Sequence, residues 1–492
     1  VEIVARYEYS DIEGDGPSSQ SHVNGSGIPG VPISHDPETF NFSIDEEGFQ
    51  TNETHFFSTE IEWSVSDTGT ITNIFGWRDY EGTALSDIDA QPAPWFHGGF
   101  GSNAEQISNE LRYNGMVGDK TNLTMGLYYF KNDLEYAESR FLLGGALTQH
   151  GGGLYGVETI GAFAAIDHDV TDTLTISAGL RYTNEEKDAQ IATLPFNTNA
   201  PCEVLEGTCT YDFVDKKSWT NVSPKLGATL AISDDTNVYA HWTRGFRSGG
   251  YNLRNTAGDV VNNPPGPFDE ETVDNFEIGW KNEFEAGRIN GAIFHNKISD
   301  LQADINSADP VSGVVQVIKN TADANITGIE LDGVFSITDG FVITASLGAI
   351  DARYTKVLYD LNGDGLIDDN DLDLALKRAP KLTYSLGLNW DVELGSWGYM
   401  TTRASYGHRD RVSWNEANTA YVPEQKIVDA GLSFASNSGA WVISIYGKNL
   451  TDEVKWGGDT QLPSVLGPVP LGGTFSPLAK GRVVGAEVTW SF

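Results

Sequence analysis

The chain has 492 residues, and its 31 lysines and arginines face 69 acidic residues, which gives a formal net charge of −38. Binding to phosphate backbones needs a basic face, so this balance argues against a nucleic-acid partner. It also argues against a basic amphipathic helix lying on anionic lipid. No apolar run approaches the roughly 20 residues of a membrane-spanning helix, which excludes a helical membrane protein.

Apolar and polar residues alternate through most of the chain, a period of two that is typical of strands with one apolar face. In chain order, clear examples lie at 57–65, 174–182, 226–232, 276–280, 341–347 and 382–390. In a soluble barrel such apolar faces would fill the interior. In a membrane barrel they face lipid, and the polar faces line a wet lumen. Alternation alone does not decide between the two.

The connections between these strands favour the membrane barrel. Short links at 66–69, 118–121, 171–173, 233–236, 339–340 and 436–439 alternate with long polar segments at 11–52, 81–103, 187–216, 248–271 and 451–479. Short periplasmic turns and long extracellular loops are typical of outer-membrane barrels, and five long loops argue against a soluble sandwich. The sequence therefore predicts an all-β, transmembrane, antiparallel up-and-down β-barrel of about eighteen strands. The first strand is expected to run outward.

The last predicted strand carries an alternating apolar face that ends on an aromatic residue. Val484, Ala486, Val488, Trp490 and Phe492 form this face. One interpretation is an ordinary final strand that pairs with the first one. The other is that Trp490 and Phe492 form the signal read by the barrel-assembly machinery, and the terminal phenylalanine favours this second interpretation.

Two cysteines, Cys202 and Cys209, lie in a polar stretch rich in turn-forming residues. Neither a second cysteine pair nor a histidine pair lies nearby, which argues against a zinc site. A local disulfide that closes an external loop over 202–209 is the favoured interpretation, and it implies an oxidising compartment. Two unpaired loop thiols are the alternative.

The segment 360–371 has the register of a calcium-binding loop around a glycine at its sixth position. The expected ligands are Asp360, Asn362, Asp364, Leu366, Asp368 and Asp371. The twelfth residue is aspartate in place of the usual glutamate, as in dockerin-type loops, which makes bidentate ligation less certain. We expect Ca²⁺ to stiffen this external loop, and a solvated acidic turn is the alternative.

No catalytic constellation stands out, so the sequence does not predict an enzyme. Trp95, Phe96 and His97 lie in a predicted outer loop, where they either contact a chelate or form an aromatic cluster that stabilises the loop. Arg244 and Arg247 lie where a strand emerges into another outer loop. They either bind an anionic chelate by charge-assisted hydrogen bonds or pair with nearby loop acids at 269 and 270. The surplus negative charge is expected to bind divalent cations that bridge lipopolysaccharide, or to maintain solubility.

Several short motifs follow one another in a fixed order. They lie at 106–112, 126–130, 163–182, 223–225, 244–252 (RGFRSGGYN), 277–281 (EIGWK), 325–332, 379–380 and 448–452 (KNLTD). In this order they resemble the β-barrel of TonB-dependent outer-membrane receptors, most closely the iron-siderophore type. The resemblance implies TonB-energised, high-affinity uptake of a scarce ligand, such as a ferric siderophore, through the outer membrane of a Gram-negative bacterium. Heme, cobalamin and oligosaccharides stay open as ligands.

Two features of that family are missing from the sequence. We find no plug domain with the segment that the inner-membrane energy-coupling complex grips, and plugged transporter barrels have about 22 strands. We therefore expect residues 1–492 to be a receptor barrel that is incomplete at its N-terminus. The alternatives are a smaller passive porin without a plug, and a soluble calcium-binding adhesion protein.

Overall fold

A computed structural model describes residues 1–22, 34–194, 202–254, 264–309, 313–462, 465–466, 469–470 and 473–492. Within these ranges no helix is both long enough and apolar enough to cross a membrane. Nearly all of the regular structure is strand, and one helical turn, α1, spans Asp369–Leu372.

Eighteen strands form one large antiparallel sheet, as the sequence predicted. In chain order they are β1 Glu2–Asp15, β2 Phe49–Ser66, β3 Gly69–Asp87, β4 Phe96–Val117, β5 Thr121–Leu142, β6 Leu147–Asp169, β7 Leu174–Ala192, β8 Phe213–Ser233, β9 Thr236–Arg247, β10 Glu271–Phe284, β11 Gly287–Asp309, β12 Gly313–Thr338, β13 Phe341–Val357, β14 Leu382–Glu393, β15 Gly398–Arg409, β16 Gln425–Ser436, β17 Trp441–Lys448 and β18 Val483–Trp490. Every strand pairs with the next one along the chain, which is up-and-down topology.

The sheet has two edges, formed by β1 and β18. Among the described residues β1 pairs only with β2, and β18 only with β17. The outer loops join the two edges at one end of the sheet, where Ser19–His22 pairs with Thr474–Pro477 and the latter pairs with Thr460–Gln461. Two short hairpins complete the outer loops. They pair Val412–Ser413 with Tyr421–Val422, and Val465–Leu466 with Val469–Pro470.

Short turns at one end of the strands alternate with mostly longer connections at the other, as predicted, although only residues 143–146 join β5 to β6 at the outer end. One expectation is wrong, because the segment 81–103 is not a long loop. β3 continues to Asp87 and β4 begins at Phe96, which leaves only residues 88–95 between the two strands. The pair Glu81 and Asn103, for example, still belongs to the ladder. Backbone pairing continues beyond the membrane, where the outward face no longer needs to be apolar, so the alternating pattern ends before the strand does.

The apolar faces point away from the lumen. Leu127, Ile278, Ile293, Leu386 and Ile445 lie in the middle of the sheet, and each is more than half exposed. The opposite faces are polar. The Tyr239 hydroxyl, for example, donates a hydrogen bond to the Glu277 carboxylate at 2.7 Å. The clusters of buried apolar side chains that the structure describes centre instead on the outer parts of the strands and the loops there. This is the polarity of a membrane barrel.

Candidate functional site

A cavity of about 470 Å³ lies at the outer mouth of the lumen, and we call it the vestibule cavity. Its wall comes from β3, β4 and β5, and outer loops cover it. Its lining includes Phe100, Tyr136, Glu138, Arg140, Arg254 and Phe475. Aromatic faces and two guanidinium groups therefore converge on one space, the combination that binds planar anionic ligands.

A three-residue ionic cluster, Arg140–Glu138–Arg254, forms one side of this cavity. The Glu138 carboxylate accepts from Nε of Arg140 at 2.7 Å and from Nε of Arg254 at 2.6 Å. The Tyr136 hydroxyl donates to the same carboxylate at 3.0 Å, and Arg140 also reaches the amide oxygen of Gln316 at 3.0 Å. The Glu138 and Arg140 side chains are 6% and 4% exposed, whereas Arg254 is 46% exposed. The cluster has one net positive charge, and Arg254 is its accessible part.

The sequence carries a signal for part of this cluster. Tyr136, Glu138 and Arg140 occupy alternate positions on β5 and therefore share one face. The same face carries Tyr128 nearer the turn, where the ring lies 5.2 Å from the Arg181 guanidinium. Arg254, however, comes from a loop that the sequence does not relate to β5.

A second cavity, of about 950 Å³, lies between three outer loops, and Gln461 lines both cavities. In it the His22 ring stacks on Trp456 with centroids 4.3 Å apart. Burial, together with the neighbouring His35, lowers the pKa of His22 to about 4, so this imidazole is neutral at physiological pH. Arg411 lies over the Tyr421 ring at 3.6 Å. This cavity offers uncharged imidazole and aromatic surfaces.

Of the three residues predicted in the outer loop at 95–97, two lie in an apolar cluster. Phe96 is buried with Leu142, and Trp95 packs against them, although Phe96 also lines the vestibule cavity. His97 points elsewhere, with Nε2 lying 2.8 Å from Oδ1 of Asp45. The aromatic-cluster interpretation therefore accounts for the packing of Trp95 and Phe96, while chelate contact stays a prediction for all three.

Two groups of histidine and carboxylate side chains within the described ranges are close enough to hold a metal ion. They are Asp45, Asp87 and His97, and His408, Asp410 and Glu424. In each group a hydrogen bond already holds the histidine close to a carboxylate. The His97 ring lies 2.8 Å from the Asp45 carboxylate, and the His408 ring lies 3.0 Å from the Asp410 carboxylate. Neither group coincides with a metal ligand predicted from the sequence.

Asp89 lies beneath the first of these groups, in the short link between β3 and β4. Its carboxylate accepts the backbone N–H groups of Gln91, at 3.0 Å, and Phe96. Burial and the neighbouring Asp87 carboxylate raise the pKa of Asp89 to about 8, and the two backbone hydrogen bonds only partly oppose this. The link therefore contains a carboxyl group that titrates near neutral pH.

Arg244 and Arg247 lie on opposite faces of β9. Arg244 shares the outward face with the exposed side chains of the next strand and bonds Asp274 through two nitrogens, at 2.7 and 2.9 Å. The expected acidic partners at 269 and 270 are not used by Arg244, since Asp269 pairs with Lys217 at 2.9 Å. Arg247 lines an inward groove beside Arg181. Of the two, only Arg247 lies where a ligand in the lumen would meet it.

The segment 360–371 forms a loop with the predicted turn at Gly365, where φ is +89°. Oδ2 of Asp360 accepts the Gly365 N–H at 2.7 Å. Asp371, which is fully buried, accepts the N–H groups of Leu361, Asn362 and Asp368 at 2.9, 3.0 and 3.1 Å. Both oxygens of the twelfth residue are thus engaged with backbone. The proposed Ca²⁺ ligands do not form one of the metal-sized groups found in the described ranges, and Ca²⁺ binding stays a prediction.

The predicted disulfide joins Cys202 and Cys209, with Cα atoms 4.6 Å apart. It closes an outer loop in which the Thr208 N–H donates to the Glu203 carbonyl at 3.1 Å. At the other end of the barrel, Trp490 stacks on Trp441 with centroids 5.5 Å apart, and Phe492 lies 5.4 Å from Trp490. Trp490 and Phe492 are both exposed.

Known receptors resemble this chain in sequence and in structure. The pesticin receptor of Yersinia enterocolitica is 24% identical over 203 residues, which are 40% of this chain and 27% of that receptor. The ferric yersiniabactin uptake receptor of Yersinia pestis has a TM-score of 0.71 at 18% identity, covering 90% of this chain and 61% of that structure. A siderophore receptor of Acinetobacter baumannii has a TM-score of 0.74 at 16% identity, covering 99% and 71%.

The match thus spans about a quarter of the pesticin receptor and about three fifths of the yersiniabactin receptor. The two structural likenesses, at identities of 18% and 16%, establish the fold. The family model described as "TonB dependent receptor-like, beta-barrel" matches residues 4–450, which is most of the sheet. The chain therefore belongs to the TonB-dependent receptor β-barrels, proteins of the outer membrane of Gram-negative bacteria.

Proposed function

We propose that this chain is the barrel of a receptor that captures a ferric siderophore at the cell surface and passes it through the lumen to the periplasm. The energy comes from the TonB complex, acting through a plug that is not part of the described sheet. The observation that carries the proposal is the family match over residues 4–450. It is supported by relatives described as siderophore receptors.

The vestibule cavity is the proposed point of first contact with the ligand. Siderophores bind iron through anionic oxygen donors, and a ferric chelate often retains negative charge. The half-exposed Arg254 offers guanidinium N–H groups to such a chelate, and Phe100 offers an apolar face. Because Glu138 neutralises one of the two arginines, the cavity attracts anions moderately, which permits release into the lumen.

Uptake of radioactive iron by iron-limited cells tests this function. We expect Arg254→Gln to lower the apparent affinity for the ferric siderophore roughly tenfold, the loss of one charge-assisted hydrogen bond. The matched control is Lys131→Gln, because Lys131 lies on the outer face and pairs with Asp133 at 2.6 Å. Uptake that continues at the same rate in cells lacking TonB would support the passive porin instead.

We also propose that further strands pair with the two edge strands, β1 and β18. A strand edge left open in a bilayer leaves backbone N–H and C=O groups without partners, at a cost of several kcal/mol each in hydrocarbon. Hydrogen exchange of the β1 amides provides the test. We expect strong protection in the intact receptor and weak protection in residues 1–492 alone. Equal protection in both would mean that β1 and β18 pair directly, as in a small porin.

Trp490 and Phe492 are proposed as the signal for the barrel-assembly machinery. Their rings are exposed and lie 5.4 Å apart at the end of the last strand, where they are accessible to a partner. Deleting Phe492 is expected to lower the amount of folded receptor in the outer membrane, while Trp441→Phe on the neighbouring strand should not. Normal insertion after the deletion would leave these aromatic residues with a purely interfacial role.

A further inference from the structure

A histidine and two carboxylates meet where β15 ends and β16 begins, at the outer end of the barrel. One ligand atom from each of His408, Asp410 and Glu424 lies within 4.8 Å of the other two. His408 is the next-to-last residue of β15, Asp410 follows the strand, and Glu424 immediately precedes β16. The connection between these two strands, residues 410–424, therefore begins and ends at this cluster.

The imidazole of His408 is fixed by its neighbours. Its side chain is only 7% exposed. The ring stacks on Tyr384 of β14, with centroids 4.6 Å apart and planes inclined by 17°. Nε2 lies 3.0 Å from Oδ1 of Asp410. Because a carboxylate only accepts hydrogen bonds, Nε2 carries the proton of this bond, and Nδ1 of the neutral ring carries a lone pair.

Nδ1 of His408 is buried and has no hydrogen-bond partner among the described residues. It is directed at Glu424, whose Oε1 lies 3.5 Å away. A charge-assisted N–H···O bond is about 2.7–2.9 Å long, so the separation is longer than a proton on Nδ1 would give. A buried lone pair and a carboxylate oxygen thus face each other across a gap that a proton does not close, although buried polar atoms are normally satisfied.

The width of this gap suits a metal ion. Zn²⁺ binds an imidazole nitrogen at about 2.0–2.1 Å and a carboxylate oxygen at about 2.0–2.2 Å, usually in tetrahedral geometry, which places two such ligands about 3.4 Å apart. Imidazole suits zinc, copper and nickel, whereas Ca²⁺ and Mg²⁺ prefer sets of oxygen ligands. Asp410, bonded to the far nitrogen, is the orienting carboxylate that metal-bound histidines usually have.

The surroundings leave one oxygen of Glu424 available and give an ion access. Oε2 of Glu424 lies 3.0 Å from Nζ of Lys426, which leaves Oε1 for the metal. Asp410 and Glu424 line a cavity of about 410 Å³, together with Lys381 and Arg411. The Glu424 side chain is 45% exposed. Water from this side can therefore fill the remaining coordination positions.

The other metal-sized group, Asp45, Asp87 and His97, lacks this feature. The Asp87 carboxylate accepts the backbone N–H groups of Ala90 at 2.7 Å and of Asp45 at 3.1 Å. Within the described ranges, no buried ring nitrogen of His97 is left without a partner. A His97 variant is therefore a matched control for a metal site at His408.

We propose that Nδ1 of His408 and Oε1 of Glu424 bind a divalent transition-metal ion of the zinc type. Asp410 acts as a positioning residue that holds the imidazole through Nε2. The ion is a resident of the barrel wall and not the transported cargo, because its two protein ligands come from the ends of adjacent strands.

Binding of this ion closes the connection 410–424 at its base. The connection carries the hairpin that pairs Val412–Ser413 with Tyr421–Val422. Arg411 and Tyr421, which belong to the same connection, line the second cavity. The ion therefore stiffens one wall of that cavity.

Calorimetric titration of the intact receptor with ZnCl₂ tests the proposal. The protein is kept in detergent at neutral pH, after treatment with EDTA and dialysis. We expect His408→Gln and Glu424→Gln each to remove one Zn²⁺ site, and Asp410→Asn to weaken that site about 10–100-fold. His97→Gln should bind as the wild type does. Hydrogen exchange at 411–423 should slow on addition of Zn²⁺ in the wild type and in His97→Gln, but not in His408→Gln or Glu424→Gln.

Three results would overturn the proposal. Zn²⁺ binds to His408→Gln and Glu424→Gln with the stoichiometry and affinity of the wild type, equimolar Ca²⁺ or Mg²⁺ displaces it, or it leaves exchange at 411–423 in the wild type unchanged. Heat-modifiable mobility on gels shows whether each variant is folded. Should the buried His408 prove necessary for folding, Glu424→Gln decides the matter, because that side chain is nearly half exposed.

Discussion

The Arg140–Glu138–Arg254 cluster contains two ion pairs that share one carboxylate but differ in burial. Both have N···O distances below 2.8 Å. Arg140 and Glu138 are almost inaccessible to water, whereas Arg254 is 46% exposed. Two double-mutant cycles, Glu138→Gln with Arg140→Gln and Glu138→Gln with Arg254→Gln, compare the pairs in a single site.

The expected coupling energies differ because solvent screens the two pairs differently. Removing one partner of a buried ion pair costs about 3–5 kcal/mol. Arg140 keeps its bond to Gln316, so we expect a coupling of about 2–3 kcal/mol for Glu138 and Arg140. An exposed pair contributes about 0–1 kcal/mol, and we expect at most about 1 kcal/mol for Glu138 and Arg254.

Hydrogen exchange of the amides in the outer half of β5 gives the local opening free energy for each variant. Gel mobility of unheated and heated samples checks that the barrel itself still forms. A coupling for Arg254 that equals or exceeds that for Arg140 would refute the reasoning, because it would mean that burial does not set the strength of these pairs.

Three further predictions concern the outer loops. The pKa of Asp89 is about 8 in the fold and 3.8 for the free side chain. The folded link therefore loses stability as the pH rises from 4 to 8, and hydrogen-exchange protection factors for 88–95 should fall over that range. Asp89→Asn should abolish the fall. Replacing Cys202 and Cys209 by serine should cost roughly 2.5 kcal/mol, confined to this loop, and appear as faster proteolysis there. Asp371→Ala should increase proteolytic cleavage of 360–376 even in EDTA, because the backbone N–H groups bonded to Asp371 lose their acceptor. An increase over the wild type that is seen only with Ca²⁺ present would instead make Asp371 a Ca²⁺ ligand. Titration calorimetry of Ca²⁺ binding to Asp360→Ala would check this.

Strand number, topology and polarity could be predicted from the sequence because each depends on local alternation. The side chains of a strand point alternately to its two faces, so the pattern at 276–280 already assigns Ile278 and Glu277 to opposite sides. The disulfide was equally local, since Cys202 and Cys209 are seven positions apart. Strand ends above the membrane were predicted less well, because backbone pairing continues there without an apolar face.

The vestibule cavity could not be predicted, because its contacts join distant parts of the chain. Arg254 is 116 residues from Glu138, and Gln316 is 176 residues from Arg140. Alternation places Glu138 and Arg140 on the lumen face but does not specify which loop covers them. That information depends on how the loops fold over the mouth of the barrel.

Arg244 and Arg247 show that the face of a barrel wall on which a side chain lies depends on its position along the strand. They are three positions apart, and an odd separation along a strand puts two side chains on opposite faces. Trp242 and the exposed Phe276 fix the face of Arg244 as the lipid side, so Arg247 must face the lumen. One arginine then lies on the lipid side of the wall and the other on the lumen side. Shifting the register of β9 by one residue would exchange the faces of the two arginines and turn the apolar face of the strand into the lumen, so the register of β9 is strongly specified.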